Sequence, residues 1–269
     1  MKRPLATSLL ALGALLALSA CESGDAEVSE ATGGTGSGGA GAGAGGTSGS
    51  AGTAVCPDAN EAIDPTALID DMEDQNEGLA RVSDRNGSWW TGRDDTPGAT
   101  IQPSDPVLPE MIPGGRCGSR YAMHVTGQGF NDWGASLGLG FRYAMQPDGT
   151  WGADPVDAHT RTGVTFWARI GDTSTDRVRF NLGDVHSAPA GGLCQVGGPP
   201  GTGCYSTFGV YLTALGTSWR RYKIPFAGLT QLPFGLQADA VDTERLYDIA
   251  FAFDSGAIFD LWIDDLEFY

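Results

Sequence analysis

The chain has 269 residues, of which 33 are acidic and 16 basic, giving a formal net charge of −17 at pH 7. Such an acidic surface repels phosphate backbones, which argues against nucleic acid as a partner and leaves neutral ligands and divalent cations compatible.

Residues 1–20 begin with Lys2 and Arg3 and continue as an apolar run from Leu9 to Leu18. That run is too short to span a bilayer and has the length of the apolar core of a secretory signal. The tetrapeptide Leu18-Ser19-Ala20-Cys21 resembles a bacterial lipobox, whose cysteine is acylated after cleavage. The resemblance implies that Cys21 is the lipidated mature N-terminus and that membrane attachment is through the lipid alone. Glu22 stands where an aspartate would resemble an inner-membrane retention signal, so the expected location is the outer membrane of the cell envelope. Residues 21–55 then read as a linker, with 11 glycines among the 22 positions 33–54, a composition that stays flexible. Gly41-x-Gly43-x-x-Gly46 matches a dinucleotide fingerprint by letters, but no strand precedes it and no helix follows, so it is discarded.

Residues 56–269 are enough for one sizeable core. Their four cysteines, Cys56, Cys117, Cys194 and Cys204, are an even number in an oxidising compartment. Three pairings are possible; Cys194–Cys204 closing a local loop and Cys56–Cys117 tying the domain entry to an early loop are favoured. A zinc site fits poorly because the spacings lack the close cysteine pairs that zinc uses. Period-two alternation predicts strands near 68–73, 88–91, 99–102, 120–126, 135–142, 163–170, 177–184, 207–212, 219–226, 247–254 and 259–268. Glycine, proline, asparagine and aspartate clusters such as 93–98, 146–155 and 171–176 separate them, and only 59–68 and 239–246 have room for a short helical turn. Many short strands with turn chemistry between them predict an all-β fold, a β-sandwich or jelly roll.

Several strands separate their faces. Val164, Phe166, Ala168 and Ile170 oppose Thr165, Trp167 and Arg169; Val178, Phe180 and Leu182 oppose Arg177, Arg179 and Asn181. Phe208, Val210 and Leu212 oppose Tyr211, and Tyr222, Ile224 and Phe226 oppose Arg221. A sugar ring offers an apolar face and a rim of hydroxyls, so its site needs a flat aromatic beside hydrogen-bonding groups. The outward set Trp167, Arg169, Arg179, Asn181, Tyr211 and Arg221 has those types and is expected to share one face. The bland alternative is a solvated sheet surface with its aromatics under a loop. Trp89, Trp90 and Trp133 are further candidates; adjacent Trp89 and Trp90 must point to opposite sides, so at most one is core. The long connection after Asp184, with His186 and two cysteines, is expected to wall a groove over the Trp167/Tyr211 face. In the last strand, the inward phase shifts from odd to even positions at Asp264-Asp265, which implies a bulge or a strand covered on both faces. A matching acidic run, Asp70, Asp71, Glu73 and Asp74, suggests that the first and last strands lie side by side. Carboxylates gathered there need donors, a cation or a metal.

The runs Gly163-Val164-Thr165-Phe166-Trp167-Ala168, Phe208-Gly209-Val210, Trp219-x-x-Tyr222-x-Ile224-Pro225-Phe226 and Phe259-x-Leu261-Trp262-Ile263-Asp264-Asp265-Leu266-x-Phe268 resemble galactose-binding-like jelly-roll modules. They resemble carbohydrate-binding module family 11 and similar bacterial surface lipoproteins in particular. The resemblance implies a non-catalytic module that binds polysaccharide or oligosaccharide; the chain is expected to be monomeric, and Asp184 and His186, at the start of the long connection, are expected near the ligand. It also implies a structural calcium between the first and last strands, with Glu73 and Asp265 as ligands and Asp71 and Asp264 close by. Two other readings stay open. One is a structural or adhesive envelope protein that binds another protein. The other is a glycoside hydrolase using two carboxylates such as Asp184, Asp248 or Asp254, although no Gly-x-Ser-x-Gly elbow or His-Glu-x-x-His is present.

Overall fold

A computed structural model describes residues 64–269 except Ser83. The signal, Cys21, the linker and Cys56 lie outside the described residues, and with them one end of the expected Cys56–Cys117 bridge. In chain order the strands are β1 (Leu68–Asp70), β2 (Trp89–Arg93), β3 (Thr100–Gln102), β4 (Glu110–Arg116), β5 (Ser119–Gln128), β6 (Ala135–Gly140), β7 (Tyr143–Met145) and β8 (Trp151–Ala153). They continue as β9 (Gly163–Ile170), β10 (Val178–Asp184), β11 (Phe208–Tyr211), β12 (Arg220–Pro225), β13 (Thr230–Gln231), β14 (Leu246–Phe253) and β15 (Phe259–Phe268). Every strand expected from the alternation is present. Strands β4, β8 and β13 were not foreseen, and neither was the short β7. In β4, Pro113-Gly114-Gly115 interrupts the alternation that would have revealed it. Residues 239–246 form turns rather than helix before β14 starts at Leu246.

Two antiparallel sheets make the sandwich. The front sheet has the order β12-β9-β15-β5-β3, with β1 on β15 and β4 on β5; the back sheet runs β13-β11-β10-β14-β6-β2. The chain repeatedly changes sheet, from β5 to β6, β9 to β10, β11 to β12 and β14 to β15, which is the crossing pattern of a jelly roll. Strands β7 and β8 form a separate hairpin. The inward phase of each strand meets its counterpart from the other sheet: Phe166 of β9 stacks on Phe180 of β10 at 5.7 Å and meets the Phe251 edge at 5.0 Å. Phe253 and Phe259 stack at 3.9 Å across the β14–β15 crossing. Such ring pairs add roughly 0.5–1.5 kcal/mol each beyond the area they bury.

Strand β1 does lie beside β15, Leu68 opposite Glu267. The phase shift in β15 is a bulge: Asp264 pairs with Trp167, but the next partners along β9 are Glu267 and Thr165, and Asp265 takes φ 45°. The extra residue leaves Asp264 on the outer face with Trp262 and turns Leu266 and Phe268 into the core.

Candidate ligand trough

The outward residues fall on opposite sides of the sandwich, which corrects the expectation of a shared face. Trp167, Arg169 and Arg221 stand on β9 and β12 of the front sheet; Arg179, Asn181 and Tyr211 stand on β10 and β11 of the back sheet. Alternation within a strand tells inside from outside but carries no information about which sheet the strand joins.

The front face is covered by its own side chains. His124 stacks on Trp262 with centroids 3.8 Å apart, and the Arg169 guanidinium lies over Trp262 at 4.8 Å and over Trp219 at 5.2 Å. Arg116 then lies over Trp219 at 5.7 Å and Trp167 at 4.7 Å. The result is a ladder of alternating cations and rings, each step held by attraction between the charge and the ring face. Strand β4 adds Ile112, which packs with Ala122 and Trp262, so this face is a cover rather than an opening.

The back face is built the other way. Three rows cross its strands: Tyr211, Arg179, Ala252, Ser136 and Gly92; then Thr230, Gly209, Asn181, Ala250, Gly138 and Trp90; then Gly183, Asp248 and Gly140. Small residues dominate between the rims: Ala252, Ser136 and Gly92 in the first row, Gly209, Ala250 and Gly138 in the second, and Gly183 and Gly140 flanking Asp248 in the third, with Tyr211 and Arg179 towards one rim and Trp90 at the other. With strands about 4.8 Å apart, the second row spans about 24 Å. Trp89 enters the core and Trp90 faces out, as adjacency in a strand requires. Trp90 lies flat across the sheet, because a methyl group at Gly138 would overlap its ring. Trp133, 56% exposed, stands beside Gly92 on the same rim.

At the other rim Arg179 lies across Gly209, donating from Nη2 to the Thr230 carbonyl at 2.7 Å and from Nη1 to Asn181 Oδ1. That leaves Asn181 Nδ2 as a donor with no hydrogen bond among the described residues. Arg177 stacks on Tyr211 at 3.8 Å and donates to Asp254, which also accepts the Tyr211 hydroxyl at 3.2 Å. Asp248 stands on the floor against Gly183, with the Tyr143 phenol over Gly140 next to it. Burial and the nearby Asp184 charge push its carboxyl up to about 7. Of the residues lining this trough, Trp90 and Asp248 were noted in the sequence but not chosen; the glycines that shape the floor were readable only as strand breakers.

Asp184 and His186 are not arranged to meet a ligand. Asp184 is fully buried; its carboxylate accepts the backbone N–H groups of His186 at 3.0 Å, Ser187 at 3.3 Å and Asp242 at 3.0 Å, and the His186 ring at 3.1 Å. These bonds anchor the start of the long connection, which the Cys194–Cys204 bridge closes as expected. Its tip meets 232–237, where Leu236 N–H donates to the Gly203 carbonyl at 2.8 Å, at the edge of the back sheet beyond β13. It is therefore no wall over Trp167.

The four carboxylates expected at a calcium site come together in part. Ser119 Oγ lies within reach of both Asp264, at 2.8 Å, and Glu73, at 3.3 Å. Glu73 also accepts the N–H groups of Arg120 at 2.6 Å and Tyr121 at 3.0 Å; these outweigh the burial that opposes its ionisation and hold its carboxyl below the usual range. Asp264 accepts Arg116 Nε at 2.8 Å, Asp265 accepts Arg116 Nη2, and Asp71 accepts the Glu73 N–H at 3.2 Å. The donor set does not fit calcium: the oxygens face N–H groups and a guanidinium. Among the described residues no three or more His, Cys, Asp or Glu side chains are grouped to hold a metal ion.

No protein-family model and no curated protein matches the chain. Among solved structures it is similar to the family 11 carbohydrate-binding module of the cellulosomal cellulase Lic26A-Cel5E of Clostridium thermocellum, at 16% identity and a TM-score of 0.45, covering 75% of this chain and 92% of that one. A family 11 module from Clostridium thermocellum in complex with a β-1,3-1,4-mixed-linked tetrasaccharide matches at 16% identity and a TM-score of 0.45, over 75% and 94%. The family 30 module of the cellulosomal cellulase Cel9D-Cel44B of Clostridium thermocellum matches at 10% identity and a TM-score of 0.42, over 67% and 90%.

Proposed function

We propose that the outer face of the back sheet binds a neutral polysaccharide or oligosaccharide, and that the chain is a non-catalytic glycan-binding lipoprotein held on the cell envelope through Cys21 and its linker. The observation that carries this reading is the trough itself: a glycine and alanine floor with the flat Trp90 ring at one edge and, set into it, two polar groups without a hydrogen bond among the described residues, Asn181 Nδ2 and the Asp248 carboxyl. A pyranose ring can lie on the indole while its hydroxyls meet those groups, which is the division of labour that sugar sites use. The acidic chain suits a neutral ligand better than an anionic one.

Hydrolysis draws little support from the same face. It needs two carboxylates across a groove, yet Asp184 is buried under backbone donors and Asp254 is tied to Arg177 and Tyr211. Asp248 alone keeps its carboxyl disengaged. Adhesion to another protein draws on the exposed Leu193, Val196, Tyr205 and Phe234 near the disulfide loop.

The test is a glycan-array screen of the exported protein, followed by calorimetry on any glycan retained. Wild type should bind, while Trp90→Ala and Asp248→Asn weaken binding at least tenfold. A folded wild-type protein that retains no glycan would move the reading to protein adhesion, and binding untouched by both substitutions would place the site elsewhere.

A further inference from the structure

Arg116 occupies the position where the resemblance to family 11 modules implies a metal. Its side chain is 5% exposed and Asp264 is 0% exposed. The guanidinium bonds Asp264 through Nε and Asp265 through Nη2 while its faces meet Trp167 and Trp219. The bend that delivers it lies at the end of β4, where Gly114 and Gly115 take φ 82° and 70°, and the turn through Cys117 and Gly118 then pairs Arg116 with Ser119. Ser119 in turn bonds Asp264, and the backbone on its far side fills Glu73. Among the described residues, positions 116–121 therefore supply the donors that Glu73, Asp264 and Asp265 meet from outside their own segments.

We propose that the Arg116 guanidinium, rather than a bound calcium ion, is the cation that joins the bulged last strand to the cover of the front sheet, so that folding of this protein is independent of calcium. The chemistry favours this ion in this place. A planar guanidinium can hold two neighbouring carboxylates with its fork and stack between indole rings at the same time, whereas a metal ion or an ammonium offers no face to stack. Asp264, wholly buried at a strand bulge opposite Trp167, needs a positively charged partner, and the guanidinium supplies one. The same side chain thus closes both regions that the sequence offered as sites, the carboxylate cluster and the Trp167 face.

The experiment is thermal unfolding of the full exported chain in calcium chloride and in excess EDTA, together with calcium titration by calorimetry. The expected result is a Tm that agrees within about 1 °C between the two conditions and no binding heat. Arg116→Met, which keeps the unbranched apolar stem but removes the guanidinium and its charge, should lower Tm by roughly 10 °C. A wild-type Tm that falls by several degrees in EDTA and returns with calcium would overturn the proposal, as would an Arg116→Met protein as stable as wild type. Should that variant not fold, Arg116→Lys serves in its place: retained charge without the fork or the stack should still lower Tm, and unchanged Tm counts against the proposal. None of these measurements depends on the glycan reading.

Discussion

Trp90 of β2 lies directly over Gly138 of β6, its partner across the strand pair, so that the absent side chain of one residue makes the seat for the ring of the other. The pair predicts a loss of function without loss of fold. In Gly138→Val the added carbons must lift the indole off the sheet, and a β-branched residue suits a strand, so stability should stay near wild type. Binding to the glycan found by array should weaken tenfold or more by calorimetry. Wild-type affinity in this variant would mean that the flat ring is not what the ligand uses.

Trp167 makes the complementary case. It belongs to the cation and ring ladder on the opposite face, packed under Arg116. Trp167→Ala should therefore leave glycan affinity unchanged within about twofold while lowering stability by about 2 kcal/mol, from lost packing and a lost cation contact. Urea unfolding and calorimetry on one sample separate the two effects, and a selective loss of affinity would return Trp167 to the site.

Asp70 sets a pH dependence of stability. It is buried, and that burial pushes its carboxyl up to about 7 against the opposing hydrogen bonds from Trp89 Nε1 and the Met72 N–H. The folded state then holds a proton that the unfolded chain releases near its ordinary value of 3.8. Between about pH 4 and 7 the native state binds more protons, so stability falls as pH rises and levels off above 7, by at most about 1.4 kcal/mol per unit for this group. Asp70→Asn keeps an acceptor for Trp89 and should flatten part of the slope; the remainder belongs to Asp248 and Asp264, which burial raises to about 7 and about 6. Denaturant titrations at pH 5 and 7.5 measure it. Parallel slopes for variant and wild type would show that Asp70 does not titrate there.

The Cys194–Cys204 bridge closes a short loop of sequence separation 10 and both sulfurs are buried. Replacing both cysteines with serine should cost roughly 2–3 kcal/mol. Hydrogen exchange should rise in 187–206 and stay low in β10 and β14, whose pairing does not depend on the bridge. Faster exchange throughout the back sheet would mean that the loop supports the sheet rather than hanging from it.

Much of the fold was legible because each strand writes its own burial pattern. Phe166, Phe180 and Phe251 announce inward phases two residues at a time, and the shift at Asp264-Asp265 marked either a bulge or a strand covered on both faces, of which the structure has the bulge. The trough was not legible for a related reason. Its floor consists of Gly138, Gly140, Gly183, Ala250 and Ala252, residues that a single strand presents as weak positions and that acquire a role only when three strands set them side by side.

The sequence alone therefore placed all the strands except β4, β7, β8 and β13, showed which residues of the placed strands point inward, and favoured the pairing of the first and last strands and of Cys194 with Cys204. These are properties of neighbours within a strand or a short loop, governed by side-chain alternation and chain reach. Only the tertiary structure decided that Trp167 and Tyr211 face away from each other, that Trp90 rests on Gly138, and that Arg116 reaches Asp264 from 148 residues away. Those relationships depend on which sheet each strand joins after a crossing, and no local pattern of hydrophobic and polar residues encodes that choice.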